Sequence, residues 1–414
     1  MYALCQGYFE KSFSAAGAAH GCCILAGCAQ HSTERCDMKV SCLQENLAKG
    51  LNIVGRAVAA RSTLPVLGNI KIETDNARLK LSATNLELGL VCWIGAKVEE
   101  EGATTVPAKT LVDLVNALPK GQVSMGYTAR TQSINVSCAT VNNDIKCIDA
   151  QEFPLLPGPD KEVGIELNVV DLRAAINQVV FAAAKDDARP VLTGAELRIK
   201  GGELKLAAAD GFRLAVCTAH LAAPAATPIT AIIPARALAE LARLLGDQDE
   251  LVTMYLLAAK GQVYFQMRDT VLVSQLLEGN YPDYAQLIPR SHTTRAVMTT
   301  SELRAACRAA DIFARESAYS VRVSVKPGSE LKPGNVELDA RSAETGSNEV
   351  QVSATVEGSA LEIAFNVKYL ADVLNVISSE SVALELSGSN APGVVRPLGN
   401  DDFLSVIMPM HLGG

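Results

Sequence analysis

Thr105-Val106-Pro107-Ala108-Lys109-Thr110-Leu111 is the stretch on which the fold turns, because a strand alternation gives way there to helical spacing. Leu111, Leu114, Val115 and Leu118 carry one apolar helix face onward. Pro107 at the first turn costs no hydrogen bond, since that N–H has no helical partner anyway. The junction returns at Ile232-Ile233-Pro234-Ala235-Arg236-Ala237-Leu238, followed by Leu241, Leu244 and Leu245. It returns again at Ala364-Phe365-Asn366-Val367-Lys368-Tyr369-Leu370. A repeat of this length decides architecture before any single motif does.

Working outward, the segments around each junction repeat as well. Leu64-Pro65-Val66-Leu67 is echoed by Arg189-Pro190-Val191-Leu192, and 79–85 (LKLSATN) by 204–210 (LKLAAAD), with Val336-Glu337-Leu338-Asp339-Ala340 a weaker third copy. Each copy opens with a longer helical pattern: Leu43, Leu47, Leu51, Val54 and Val58; then Leu172, Ile176, Val179 and Val180; then Leu303, Ala306, Ala310 and Phe313. Thr299, Thr300 and Ser301 offer side-chain caps to the last of these. Alternating runs at 70–74, 78–82, 196–200, 263–266 and 350–356 read as strands, with turns at Gly201-Gly202, Lys260-Gly261 and Pro333-Gly334. Two helices and roughly eight strands per copy make an α+β domain, and three copies of about 126 residues make a three-domain chain. Proline-rich seams at 153–159 and 281–289 place the domains at 38–160, 161–289 and 290–414.

Composition bounds the rest. Hydrophobic residues make up 49% and charged residues 20% of the 414, enough for several cores. The formal charge of −8 excludes a protein that coats nucleic acid with its whole surface. Charged, Gly or Pro positions interrupt every apolar run before it reaches membrane-spanning length. Cys5, Cys22, Cys23, Cys28 and Cys36 all fall in a non-periodic extension, residues 1–37, set aside as a flexible tail or a misplaced start. Leu25-Ala26-Gly27-Cys28 looks like a lipoprotein box, but Glu10, Lys11 and His20 break the apolar stretch a signal needs. Cys42, Cys92, Cys138, Cys147, Cys217 and Cys307 have no metal or disulfide spacing and read as core residues in a reducing, cytoplasmic setting. No phosphate loop, nucleophile elbow or His-Glu-x-x-His occurs, and Asp186-Asp187 and Asp401-Asp402 read as solvated turns. The expectation is no catalytic residue, no metal and no cofactor.

Several motifs in order carry a resemblance: Thr63-Leu64-Pro65-Val66-Leu67-Gly68-Asn69, Ala103-Thr104-Thr105-Val106-Pro107-Ala108, Asp210-Gly211-Phe212-Arg213-Leu214-Ala215-Val216, Gly279-Asn280-Tyr281-Pro282-Asp283-Tyr284, Phe365-Asn366-Val367-Lys368-Tyr369 and the terminal 406–412 (VIMPMHL). From Met38 to Leu412 the chain resembles the bacterial DNA polymerase sliding clamps, the beta processivity subunits. That resemblance implies a head-to-tail homodimer whose six domains close as a ring around double-stranded DNA, helices inside and sheets outside. It implies a dimer contact of Ile312 and Phe313 against an edge strand near Ile134 and Val136. It also implies a cleft between the second and third domains for short apolar peptides of the replicative polymerase, the clamp loader and other clamp-binding proteins. Carried over, the cleft comprises Arg189, Leu192, Gly211, Phe212, Arg213, Leu214, Pro289, Asn366, Tyr369, Val406, Ile407, Met408, Pro409, Met410 and Leu412. A methionine rim repacks readily around different ligands. Phe212 stands where the family commonly has His, and His411 where a basic residue is usual.

The six helical windows sum to +3 in a chain of −8, so positive charge is concentrated in the helices. Lys49, Arg56, Arg61, Arg173, Lys185, Arg304, Arg308 and Arg315 are the candidates for phosphate contact, Arg61 foremost by family position. The competing reading is a three-repeat scaffold that binds proteins through its sheets and ignores DNA.

Overall fold

The computed structural model describes residues 37–411 apart from 157, 160–162, 222, 247–249 and 330–331. The expectations for residues 1–36 and for Leu412 lie outside these.

The helices fall where the periodicity puts them: α1 Gln44–Val54, α2 Ala108–Ala117, α3 Val169–Val179, α4 Ala235–Leu244, α5 Thr300–Ala314 and α6 Val367–Val376. None among the described residues is long and apolar enough to cross a membrane. Pro107 and Pro234 are the N-caps of α2 and α4; in α6 Asn366 takes that place, and its Oδ1 accepts from the Lys368 N–H at 3.0 Å. The caps expected from Thr299, Thr300 and Ser301 are not made. Thr299 is the N-cap of α5 without a side-chain bond, Thr300 is buried, and its N–H donates to the Glu380 carbonyl at 2.8 Å.

Within each repeat the two helices pack together, α1 on α2, α3 on α4 and α5 on α6. Between repeats, Arg56 just past α1 reaches Glu240 of α4 at 3.3 Å, and α3 touches α6. The six helices thus form one row in the order α2, α1, α4, α3, α6, α5. The long helices α1, α3 and α5 bury their apolar faces on strands Leu88–Gly95, Arg213–His220 and Gly346–Gly358. The main core runs through all three repeats without a break.

The strands are antiparallel throughout and do not stop at the seams. One five-stranded sheet lies within the first repeat, an eight-stranded sheet spans the first and second, and a twelve-stranded sheet spans the second and third. At the first joint Thr270–Gln275 lies on Leu88–Gly95, with Val271 opposite Val91 and Val273 opposite Gly89. At the second joint Phe403–Ile407 lies on Arg213–His220, with Val406 opposite Leu214. In both, the last strand of one repeat pairs with the strand that carries the preceding repeat's long helix.

The third pair of this kind is left open. Val141–Lys146 ends its sheet, bonded to Ser133–Cys138 alone among the described strands. Gly346–Gly358 pairs along one side with Asn335–Ser342, and on its other side only 354–358 pairs, with 294–298. This corrects the expected edge near Ile134 and Val136. Both side chains are 0% exposed, and their strand is flanked by Gln122–Thr128 and Val141–Lys146. The edge is the more polar strand one step further out, as suits a row of unpaired backbone groups.

Candidate functional sites at the second joint and along the helical row

The turn that opens strand Arg213–His220 is built by Asp210, whose Oδ1 accepts from the N–H groups of Phe212 at 2.9 Å and Arg213 at 3.0 Å. Gly211 has φ +92°, in the left-handed region, and the Arg189 guanidinium lies 2.4 Å from where a Cβ would stand. Arg189 donates to the Asp210 carbonyl at 2.9 Å and so lies across this turn. Phe212, at the tip, is 60% exposed.

Arg213 turns inward from the same turn and ties the two repeats together. Its Nε donates to Asp210 Oδ2 at 3.0 Å, one terminal nitrogen donates to Asp372 of α6 at 2.6 Å, and the other to the Phe181 carbonyl at 2.7 Å. Its guanidinium also lies 4.5 Å from the centre of the Tyr369 ring and 5.4 Å from that of Phe181. Burial pushes the Tyr369 phenol above its ordinary pKa.

Leu192, Leu214 and Val406 are buried together, with Val216, Ile232, Val394, Tyr281 and Tyr284, in an apolar cluster distinct from the main core. Above it runs the C-terminal segment. The Met408 N–H donates to the Phe212 carbonyl and that of Met410 to the Ala364 carbonyl, each at 2.8 Å. Met408 is 37% exposed and Pro409 and Met410 are half-buried, so an apolar floor meets a partly exposed thioether rim. Ile407 is buried opposite Arg213.

Two further expected cleft residues border this surface: Pro289 lines a hollow that also includes Val394 of the apolar cluster, and Asn366 opens α6, which carries Tyr369 and Asp372. The rest of that hollow is polar, with Arg290, His292, Glu385 and Arg396. Asn366 is committed to capping α6. The residues missed by sequence reasoning are Asp210, Phe181, Asp372, Tyr281 and Tyr284. Asp210 had a signal, since its repeat mate Asn85 builds the same turn by accepting from the N–H groups of Glu87 and Leu88. Tyr281, whose hydroxyl accepts from the Ala209 N–H at 2.9 Å, was in view only as a motif letter.

Along the helical row the expected cations divide into two groups. Lys49, Arg61, Lys185 and Arg308 are exposed. The others are engaged: Arg56 with Glu240, Arg315 with Asp311 at 2.8 Å, and Arg173 with the Gly246 carbonyl at 3.4 Å. Arg304 is spent on structure, donating to the carbonyls of Leu374 and Ile377 at the end of α6, where a cation complements the helix dipole. Lys109, Arg236 and Lys368 were overlooked although the junction motif contains them. Each is exposed at the second position of its helix, where a cation opposes the dipole, so helix stability does not explain the recurrence. Ile312 on α5 is 59% exposed, while Phe313 is half-buried against the core.

Comparison with known proteins follows this geometry repeat by repeat. Residues 38–157, 166–283 and 285–411 match the N-terminal, central and C-terminal domains of the DNA polymerase III beta subunit. The beta sliding clamp of Synechococcus elongatus is 33% identical over 380 residues, covering 91% of this chain and all of the relative. That of Pseudomonas aeruginosa is 33% identical over 372 residues, covering 89% and 98%. Among solved structures, the DNA polymerase sliding clamp of Bacillus subtilis superposes with a TM-score of 0.86 at 27% identity, over 91% of this chain and all of that one. A Pseudomonas aeruginosa sliding clamp bound to griselimycin gives 0.83 at 32% identity with the same coverage. With three matched domains in order and relatives aligned from end to end, the chain belongs to the beta sliding clamp family, the beta subunits of DNA polymerase III.

Proposed function

We propose that two copies of this chain close head to tail into a six-domain ring around duplex DNA and hold the replicative polymerase and other replication or repair proteins on it. The observation that carries this reading is the unfilled third joint. Two joints inside the chain pair the same two kinds of strand, and Val141–Lys146 and residues 346–352 are the remaining members of that pair, at opposite ends of the chain. Two copies joined through them meet twice by one heterologous contact, which a closed two-fold ring requires. The helical row then continues from α5 of one copy to α2 of the next. Ile312 and Phe313 stand at that end of the row, facing the neighbour's outermost strand rather than Ile134 and Val136.

The row of helices lines the hole, and its exposed cations, Arg61, Lys49, Lys185 and Arg308 with Lys109, Arg236 and Lys368, contact phosphates. Contact through a few long side chains, without base readout, lets the ring slide. The second joint is the partner cleft: apolar side chains of a peptide enter over Leu192, Leu214 and Val406, between Phe212 and the Met408–Met410 rim. The chain contributes a tether and no chemistry of its own, and works in the cytoplasm, where its buried, unpaired thiols are at home.

The test is retention on nicked circular DNA, after loader-assisted assembly, against the same DNA linearised. Retention on the circle with loss from free ends is expected; equal behaviour on both would return the chain to a protein-binding scaffold.

A further inference from the structure

The outer face of the first joint repeats that of the second with one ring missing. In register, Val91, Val271 and Val273 stand where Val216, Leu404 and Val406 stand. Phe153-Pro154, beside Val66 and Leu67, matches Tyr281-Pro282 beside Val191 and Leu192. Three residues after each aromatic comes the residue that covers the joint. At the second joint it is Tyr284, buried, with the Arg198 guanidinium 5.7 Å from its ring centre and Glu196 beside its phenol.

At the first joint that position is Leu156, and its side chain is used elsewhere. Gly89 replaces Leu214 in the floor, and a Cβ there would lie 2.6 Å from Leu156 Cδ2, so Leu156 fills the volume that Leu214 fills in the other joint. The space of the tyrosine ring stays open as a cavity of about 300 Å³ walled by Trp93, Tyr264, Val271, Val273 and Leu156. The rim charges are inverted as well. Lys71 stands where Glu196 does and Glu73 where Arg198 does. Lys71 and Lys80 lie 3.2 Å and 3.4 Å from the one carboxylate of Glu73, so two cations share one anion. Leu155, 94% exposed, borders the opening.

We propose that this cavity docks an aromatic side chain of a partner peptide, the ring taking the place that Tyr284 takes at the second joint, with an acidic residue of the peptide beside it on Lys71 and Lys80. The ring completes the apolar surface of Val271 and Val273, and the acid supplies the charge that the inverted rim lacks. This site is separate from the second-joint cleft and is read separately.

Trp93 makes the reading direct, because it is the only tryptophan in the chain and forms a wall of the cavity. The full chain is titrated with acetyl-Asp-Tyr-Ala-amide and with acetyl-Asp-Ala-Ala-amide, exciting at the red edge where tyrosine does not absorb. The expected result is a saturable change in Trp93 emission with the tyrosine peptide and none with the alanine peptide. Leu156→Tyr combined with Gly89→Leu, which supplies the ring from within and refills the volume that Leu156 leaves over Gly89, should weaken binding at least tenfold; Lys71→Glu, a charge reversal at the partly buried rim, should weaken it several-fold. Absence of a saturable change in the parent chain overturns the proposal, as does undiminished binding by both variants. A peptide held only at the second joint leaves Trp93 unmoved, which also counts against it.

Discussion

Arg213 shows how much of a joint can rest on one side chain. Its guanidinium is buried against two carboxylates, a carbonyl and two rings, so removing it takes the side-chain donor from Asp210 Oδ2 and from the Phe181 carbonyl, while Asp210 Oδ1 keeps its two backbone N–H donors. Asp372 is partly exposed and recovers water, which keeps the expected cost of Arg213→Ala at about 2–3 kcal/mol. Urea unfolding should show that loss, and Arg213→Lys should recover little of it, because an ammonium cannot reach three acceptors and stack on a ring as well. The thiols give the residue scale a pH dependence. Burial pushes Cys42, Cys217 and Cys307 up to about 12, so between pH 9 and that value the unfolded chain has lost these protons while the native chain keeps them. Stability is therefore whole below pH 9 and falls as pH rises, by about 1.4 kcal/mol per pH unit for each thiol. Cys307→Ala should be less stable than the parent at pH 8 and should lose stability less steeply above pH 9. Equal slopes in denaturation series at pH 8 to 10.5 would show that the Cys307 thiol ionises as readily in the native chain as in the unfolded one. The Asp210-to-Val216 motif was legible in the sequence, but the strut was not: Asp372 lies 159 residues from Arg213 and Phe181 lies 32 away, and nothing local marks either as its partner.

Elements were more legible than contacts, for a physical reason. The helices announce themselves through an apolar stripe and, in α2, α3, α4 and α6, a proline or asparagine at the entry, both local properties of the chain. Strand order is not local. Ile134 and Val136 alternate cleanly and resemble an interface strand, whereas the strand that ends the sheet reads Val141-Asn142-Asn143-Asp144 and looks like a loop. Interior strands carry the strongest alternation, and edges are kept polar against stray pairing, so pattern strength points away from the edge. The cations of the helical row illustrate the same limit, because charge is visible in sequence and employment is not. Arg304→Ala removes every hydrogen bond described for that guanidinium, and the end of α6 should loosen at a cost of about 2 kcal/mol, with DNA retention unchanged at a temperature where the fold holds. Arg61→Ala should do the reverse, leaving thermal unfolding unmoved and shortening retention on circular DNA. Paired melting and retention measurements on both variants decide it. If Arg304→Ala lost DNA and kept its stability, the division of the cations into struts and contacts would be wrong.

At the scale of the molecule, what the chain repeats matters more than what it contains. The joints inside it are continuous sheets backed by long helices, and Val141–Lys146 and residues 346–352 are the two strand segments of the joint type that lack the partner their counterparts have. The joint between copies has the same strands available and lacks the covalent linker, so side-chain packing must supply what the linker supplies elsewhere. Ile312, exposed at the outer end of the helical row, and Phe313, half-buried beside it, are the apolar groups we propose to do so. Fully burying an exposed isoleucine or phenylalanine is worth about 1.5–3 kcal/mol, of which Ile312 gains the larger share and the half-buried Phe313 a part, and a closed ring makes the contact twice. Ile312→Ala with Phe313→Ala should therefore lower the dimer affinity by several powers of ten while each copy keeps its fold at some loss of its own stability, since Ile312 contributes little to the monomer's core and Phe313 packs against it only in part. Sedimentation across a dilution series should show a soluble monomer where the parent chain is a dimer, and that monomer should leave nicked circular DNA as quickly as linear DNA. It should also bind a clamp-directed peptide as before, because the second joint lies wholly within one copy. A double variant that stayed dimeric on dilution would place the contact elsewhere along the open strands. One that lost peptide binding together with dimerisation would mean that the single copy is not the independent unit its continuous sheets describe.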